Sequence, residues 1–260
     1  MTTWQEVTAL LDEASGDYSV CVWNSHGQQV YGYREQLLRS AASLIKVPLA
    51  LTVYALQGTT LSARLDATVT LAESERVEGD GSFDRAPAGT TKTIRELVAH
   101  SLIESDNTAS NLLIDRVGFD QVNQFLERLG LQTRLQRKFM DFAALAAGQD
   151  NITTAQEMCA IFFHMVRQRY AEVLDFLGQS VCDHKLDAGL PPGTLLAHKV
   201  GDLPNVEHDA GIVFAAPEPY IVAALSVDLP DVETGRRTIA QASGMIWALM
   251  TSSANAPHAH

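Results

Sequence analysis

Apolar residues recur at three- and four-residue spacing from the start of the chain. Trp4, Val7, Leu10 and Leu11 share one face of a predicted helix. Two runs rich in β-branched and aromatic residues follow, "DYSVCVWNS" and "QQVYGYRE", and His26-Gly27 between them predicts a hairpin turn. Next comes "SAASLIKVPLALTVYAL", Ser40 to Leu56, so nearly devoid of polar positions that it predicts a helix destined for the core. From about Leu61 to Lys185 the pattern is mostly helical: "TIRELVAHSLIES", "NTASNLLIDRVG", "FDQVNQFLERLG" and "TTAQEMCAIFFHMVRQ" each carry an apolar stripe. Gly118 and Gly130 fall where helix C-caps are expected. Strand patterns return late in "GTLLAHKVG", "DAGIVFAA" and "PYIVAALSVD", and a helix from about Val232 to Met250 closes the chain.

Strands thus come from both ends and helices fill the middle. The economical architecture is α+β: one sheet from N- and C-terminal segments, flanked by the terminal helices, with an all-helical lobe inserted. The expected lobes are 1–58 with 190–260, and 59–189; being interleaved in sequence, they form a single domain spanning 1–260.

Composition narrows the function. The 260 residues can bury a large core, and 46% hydrophobic with 19% charged residues describes an ordinary soluble protein. A net charge of -12 argues against a nucleic-acid partner, because phosphate binding needs clustered Lys and Arg. No uncharged apolar run approaches the roughly 18 residues of a membrane span, so no membrane partner is expected. The first twenty residues lack the basic start and apolar centre of an export signal. That reads as a cytoplasmic protein as the chain stands, or as the mature part of an exported one with a replaced start. Cys21, Cys159 and Cys182 are an odd set without close spacing, expected as buried reduced thiols. The eight histidines show no metal-ligand spacing, and "PHAH" at the end reads as a loose tail. Neither a metal nor an organic cofactor is implied, and a monomer acting on a small molecule is the expectation.

The apolar Ser40–Leu56 run nevertheless contains Ser43 and, three residues on, Lys46. Helix residues at this spacing share a face, with Cβ atoms roughly 5–6 Å apart. In apolar surroundings an ammonium is disfavoured, and a neutral amine can accept a hydroxyl proton, which is one route to an activated serine nucleophile. A helix start adds backbone N–H groups suited to a developing oxyanion. Pro48 sits awkwardly here, removing one backbone donor early in the helix.

Alone, S-x-x-K arises by chance about once in a chain this long. Here it is followed by Ser105-Asp106-Asn107 at a break between helical segments, and by "HKVGD", His198 to Asp202, at the end of a late strand. This ordered set resembles the class A β-lactamases and, more widely, the penicillin-recognising active-site serine hydrolases, whose motifs are S-x-x-K, S-D-N and K-T-G. The resemblance spans nearly the whole chain. It implies a β-lactamase/transpeptidase-like fold with an antiparallel sheet, Ser43 as the acylated nucleophile and Lys46 as its base or proton relay. It further implies Ser105 passing a proton to the leaving nitrogen, and Asn107 holding Lys46 and the substrate amide. Lys199 and Gly201 would belong to the substrate-binding strand, Lys199 supplying positive charge for a substrate carboxylate. The backbone N–H groups of Ser43 and Asp202 would form the oxyanion hole, with Asp106 tying the loop. Outside the triple, Asn107 reads as a helix cap and Lys199 as a solvated strand end.

Two departures qualify the resemblance. The third motif reads K-V-G, with Val200 where a hydroxyl residue is usual, and the next strand reads "VEHDAG" without the arginine many class A enzymes carry. His208 is a substitute donor or a satisfied structural histidine. Second, class A enzymes draw a water-activating glutamate from the loop before a "TTP"-like helix start, recognisable here as Thr153-Thr154-Ala155. That loop, "RLQRKFMDFAALAAGQDN", holds neither a glutamate nor the matching asparagine; the glutamate position falls near Lys138 or Phe139. Asp141 is the candidate deacylation base, or else it ties down the loop through Arg137. Three functions follow: a β-lactam-opening serine hydrolase with slow deacylation, an amidase, peptidase or esterase on the same scaffold, or a penicillin-binding sensor without turnover.

Overall fold

The computed structural model describes residues 2–57 and 64–252. Along the chain run α1 (Trp4–Glu13), β1 (Asp17–Asn24), β2 (Gln29–Tyr33), β3 (Arg39–Ser40), a 3-10 turn (Ala42–Ile45), α2 (Lys46–Ala55) and β4 (Thr68–Thr70). Then come β5 (Thr91–Thr93), α3 (Ile94–Ile103), α4 (Asn107–Val117), α5 (Phe119–Arg128), α6 (Phe142–Ala146) and β6 (Ile152–Thr153). The chain finishes with α7 (Ala155–Arg167), α8 (Ala171–Leu177), β7 (Leu195–Leu203), β8 (Val206–Phe214), β9 (Tyr220–Val227) and α9 (Val232–Thr251). Two compact units result: Met1–Arg39, Thr154–His164 and Cys182–His260 form the first, Ser40–Thr153 and Met165–Val181 the second. The helix bearing Lys46 therefore groups with the helical unit, whereas the sequence pattern had placed it with the strands. The expected division at residues 58 and 59 lies outside the described residues, as do Leu61 and the "PHAH" tail.

The first unit is built on a five-stranded antiparallel sheet in the order β2-β1-β9-β8-β7, which is the predicted sheet from both chain ends. Helix α1 starts at a capping box in which Thr3 accepts from the Glu6 N–H while the Glu6 carboxylate accepts from the Thr3 N–H. Its Val7 and Leu11 join Val20, Val22, Val222, Ala224, Ile239 and Ile246 in one core between the terminal helices and the sheet. Strand alternation turns Cys21 to the other face, where α7 lies. The hairpin turn forms where predicted, and Gly27 is obligatory there: its φ is +79°, and a Cβ would collide with the Phe163 ring. Strand β7 runs on to Leu203, so "HKVGD" lies inside it rather than at its end, and the turn to β8 uses Asn205 at φ +60°.

In the second unit α2 supplies the core: Val47, Leu49, Ala50, Leu51 and Val53 are fully buried. Each such large side chain contributes roughly 1.5–3 kcal/mol, which explains a helix with almost no polar face. Gly118, at φ +79°, closes α4 and opens α5, and Gly130, at φ +74°, follows α5. No helix among the described residues is long and apolar enough to cross a membrane.

Candidate active site

Ser43 does not stand on the α-helix itself. It occupies the 3-10 turn Ala42–Ile45 that runs directly into α2, and it is partly exposed where its neighbours Leu44 and Ile45 are buried. In a 3-10 turn, residues i and i+3 eclipse, so Ser43 and Lys46 keep a common face. Pro48 takes the third position of α2, in the first turn. Ala42, just before Ser43, is held at φ +45°, a left-handed conformation that costs a non-glycine residue about 1 kcal/mol or more and that clusters at functional sites.

Lys46 is fully buried, and its ammonium crosses to the turn between α3 and α4. There it donates to Ser105 O at 2.5 Å, Ser105 Oγ at 3.1 Å and Asn107 Oδ1 at 2.8 Å. Two of these partners, the carbonyl and the amide oxygen, can only accept. A neutral amine would satisfy both with its two N–H bonds and keep its lone pair for a hydroxyl proton; an ammonium adds the third bond, to Ser105 Oγ. The three motif residues Lys46, Ser105 and Asn107 are thus brought together as the sequence order suggested. Ser105 sits at φ +59°, the second left-handed residue beside this chemistry, and the Asn107 amide nitrogen donates to Glu78 O at 3.1 Å.

Asp106 is the buttress. Fully buried, it caps α4 through the Ala109 N–H at 2.7 Å and accepts from the Asp84 N–H at 2.9 Å. Asp84 in turn accepts from the Thr108 N–H at 2.9 Å. Burial, helped by the Asp84 carboxylate, lifts Asp106 to about 6, against the hydrogen bonds it accepts. Gly79 and Gly81 let these carboxylates approach, since a Cβ at either would collide with an aspartate oxygen. Asp84 carried no motif and was missed by sequence reasoning; only the folded loop reveals it.

The loop where class A enzymes hold their glutamate is tightly built. Asn151 Oδ1 accepts from the Gln136 and Arg137 N–H groups, and Asn111 brackets Phe139 from both sides, donating to its carbonyl at 3.0 Å and accepting from its N–H at 2.8 Å. The Phe139 ring therefore lies buried over the Lys46 ammonium, 4.3 Å from Nζ to the ring centre. Lys138 turns aside to Asp115, 2.5 Å away. Asp141 is exposed and caps α6, accepting from the Ala144 N–H at 2.9 Å. Arg137 pairs with Asp150 at 2.9 Å, not with Asp141.

In the first unit, Lys199, Gly201 and Asp202 lie on β7. Lys199 is buried, not a solvated strand end, and donates to Val200 O at 3.1 Å. Burial pulls its pKa down to about 8; the nearby Lys185 charge adds to that, and the Asp202 carboxylate opposes it. Lys185 was not singled out from sequence. It is fully buried, reaches Asp202 and Glu207 as an ion pair, and donates to His208 O at 3.2 Å. Glu207 also pairs with Arg236 at 3.2 Å. Burial alone would lower Lys185, but the two carboxylates outweigh it and hold its pKa up. His208 is buried and accepts from the Ser226 N–H at 3.1 Å, which matches the structural alternative. Its neighbour Asp209 pairs with the buried His198 at 2.8 Å.

The description "Beta-lactamase enzyme family" fits residues 2–250 of this chain. The chain belongs to that family. It is a serine hydrolase of β-lactamase fold, and its relatives are distant. A β-lactamase of Bacteroides uniformis is 25% identical over 274 residues, covering 94% of this chain and 90% of that protein. Among solved structures, the β-lactamase of Sphaerobacter thermophilus DSM 20745 superposes with a TM-score of 0.87 at 24% identity, covering 95% of this chain and 97% of its own. A point mutant of PBP-A, solved as an acyl-enzyme complex with penicillin G, superposes with a TM-score of 0.85 at 22% identity and 95% coverage of each chain.

Proposed function

We propose that this enzyme opens the amide of β-lactams, or of related acyl compounds, through an ester at Ser43, and that it releases this ester slowly. The observation that carries the proposal is the buried Lys46 side-chain nitrogen held between Ser105 and Asn107 one 3-10 turn from Ser43. Ser43 Oγ attacks the carbonyl carbon as its proton moves to the lone pair of Lys46 in its neutral amine form. The tetrahedral oxyanion is met by the backbone N–H group of Ser43 at the start of the helix. Collapse breaks the C–N bond, and the proton reaches the leaving nitrogen through Ser105. Lys199 supplies the charge for a substrate carboxylate, and Gly201 lets the substrate lie along β7. An edge strand favours this, since half its backbone groups face away from its sheet partner.

Release of the ester needs a base to take a proton from water. Sequence counting places that base near Lys138 or Phe139; Lys138 is paired with Asp115, and Phe139 presents an aromatic ring, which accepts no proton. Asp141 acts as a helix cap in this reading. The penicillin G ester on the PBP-A mutant supports an acyl-enzyme route for this fold. Val200, an apolar residue where a hydroxyl is usual, favours the second reading, an amidase, peptidase or esterase whose acyl group carries no carboxylate.

Intact-protein mass followed over time with penicillin, alongside lactam absorbance, tests this. A lasting adduct of one drug mass is expected, and Asp141→Asn should leave its lifetime unchanged. Rapid lactam loss without an adduct would overturn slow release, and a lifetime lengthened in Asp141→Asn would make that residue the base. Absence of both signals would move the substrate to simple esters and D-amino-acid peptides. A stoichiometric adduct that never decays would identify a sensor.

The Lys199 assignment has its own signature. Lys199 carries its charge below about 8 and loses it above, so acylation by an anionic penicillin should fall as pH rises past that value, approaching tenfold per pH unit. A neutral acyl ester should not show this fall between pH 7 and 9. An identical fall for both substrates would remove Lys199 from carboxylate binding.

A further inference from the structure

Two of the three thiols, distant in sequence, meet in the fold. Cys21 lies in β1 and Cys159 in α7, and both are fully buried. Cys159 Sγ donates to the backbone carbonyl of Cys21 at 3.4 Å, which seats the two residues side by side. The helix is seated firmly on this face. Phe163, one turn beyond Cys159, meets the Trp23 ring edge-on at 6.0 Å and presses on Gly27, where no Cβ would fit. Cys182 is set apart, partly exposed beside His184 at 3.8 Å.

We infer that Cys21 and Cys159 form a disulfide between β1 and α7 when the chain folds in the presence of a low-molecular-weight disulfide. One thiolate attacks the external disulfide and forms a mixed disulfide, releasing one small thiolate. The second protein thiolate attacks the protein sulfur of that mixed bond and releases the other. The external disulfide is reduced to two thiols, which take up the two protons the cysteines lose. Burial raises Cys159 well above the ordinary thiol range, so the exchange belongs to folding or to an opened state rather than to the closed protein. A bridge here closes a long loop between an early strand and a late helix, the arrangement that removes most freedom from the unfolded chain. Neither thiol is among the motif residues, so the inference is independent of the proposed reaction.

The test uses the full chain with Cys182→Ser, which removes the rival thiol. It is refolded from denaturant in a mixture of oxidised and reduced glutathione, then alkylated and weighed. The expected product is lighter by two hydrogens and takes no alkyl label until a reductant is added. Its digest contains one peptide pair joined through Cys21 and Cys159, and its melting midpoint rises by roughly 5 °C or more over the reduced protein. Two alkyl labels on each chain, or glutathione left on either cysteine, would overturn the inference. Should refolding fail, the folded variant held with oxidised glutathione in mild denaturant gives the same readout, and two free thiols at equilibrium would overturn it equally.

Discussion

Ser43→Ala is expected to leave no covalent adduct with any lactam or ester and to slow turnover by roughly 10⁴-fold or more, the scale of removing a nucleophile from a cooperating set. Fold stability should scarcely move. The hydroxyl is partly exposed at the start of α2, so its loss opens no cavity and strands no buried partner, and a change within about 0.5 kcal/mol is expected. Measuring both quantities on one preparation separates chemistry from folding. Turnover that persists in a well-folded Ser43→Ala protein would mean that the reacting group lies elsewhere, and the whole acyl-enzyme scheme would go.

Phe139→Glu should do the opposite at the second step, shortening the adduct lifetime by about 10²-fold or more, the low end of general-base assistance. Sequence counting left Lys138 and Phe139 equally eligible. The structure separates them, because Lys138 turns to Asp115 while the Phe139 ring covers Lys46. Asn111 grips the Phe139 backbone rather than its side chain, so the grip survives the replacement. Two effects then compete. The carboxylate offers water a proton acceptor, but it also pairs with the Lys46 ammonium and holds it charged, which opposes acylation. The lost ring contact is the smaller matter, about 0.5–2 kcal/mol. Faster decay of the adduct with slower formation is the expected pattern in the time course. An unchanged lifetime in a protein that still acylates would show that a base at this position cannot reach the attacking water.

Much of this was legible from residue pattern alone. Helix α1, the hairpin at Gly27, α4 with its closing Gly118 and the three late strands arise from local periodicity and turn chemistry, which act over a few residues. Asn107 holding Lys46 was expected as well, as an implication of the family resemblance. What escaped depends on partners far along the chain. Asp84 looks like any loop acid until it is folded against Asp106. Lys185 is an unremarked lysine until β7 and β8 bring Asp202 and Glu207 to it. The 3-10 geometry around Ser43 was missed because an apolar run specifies burial, not the number of residues per turn. The cysteine spacing suggested three separate thiols, since a strand and a helix that stack share no sequence signal. Arg137 found Asp150 instead of Asp141 because the loop doubles back through Asn151.

The ion network beside β7 bears on how this chain can vary. Lys185 comes from the loop after α8, Glu207 from β8 and Arg236 from α9, and Lys185 and Glu207 have no access to water. Breaking such a pair from one side costs about 3–5 kcal/mol, whereas replacing both partners with apolar residues is often neutral. Substitution at one of these positions is therefore a dead end unless the other has already changed. Across diverging descendants the two should be kept or lost as a pair, and an inventory of sequences would show them covarying even where the catalytic motifs stay constant.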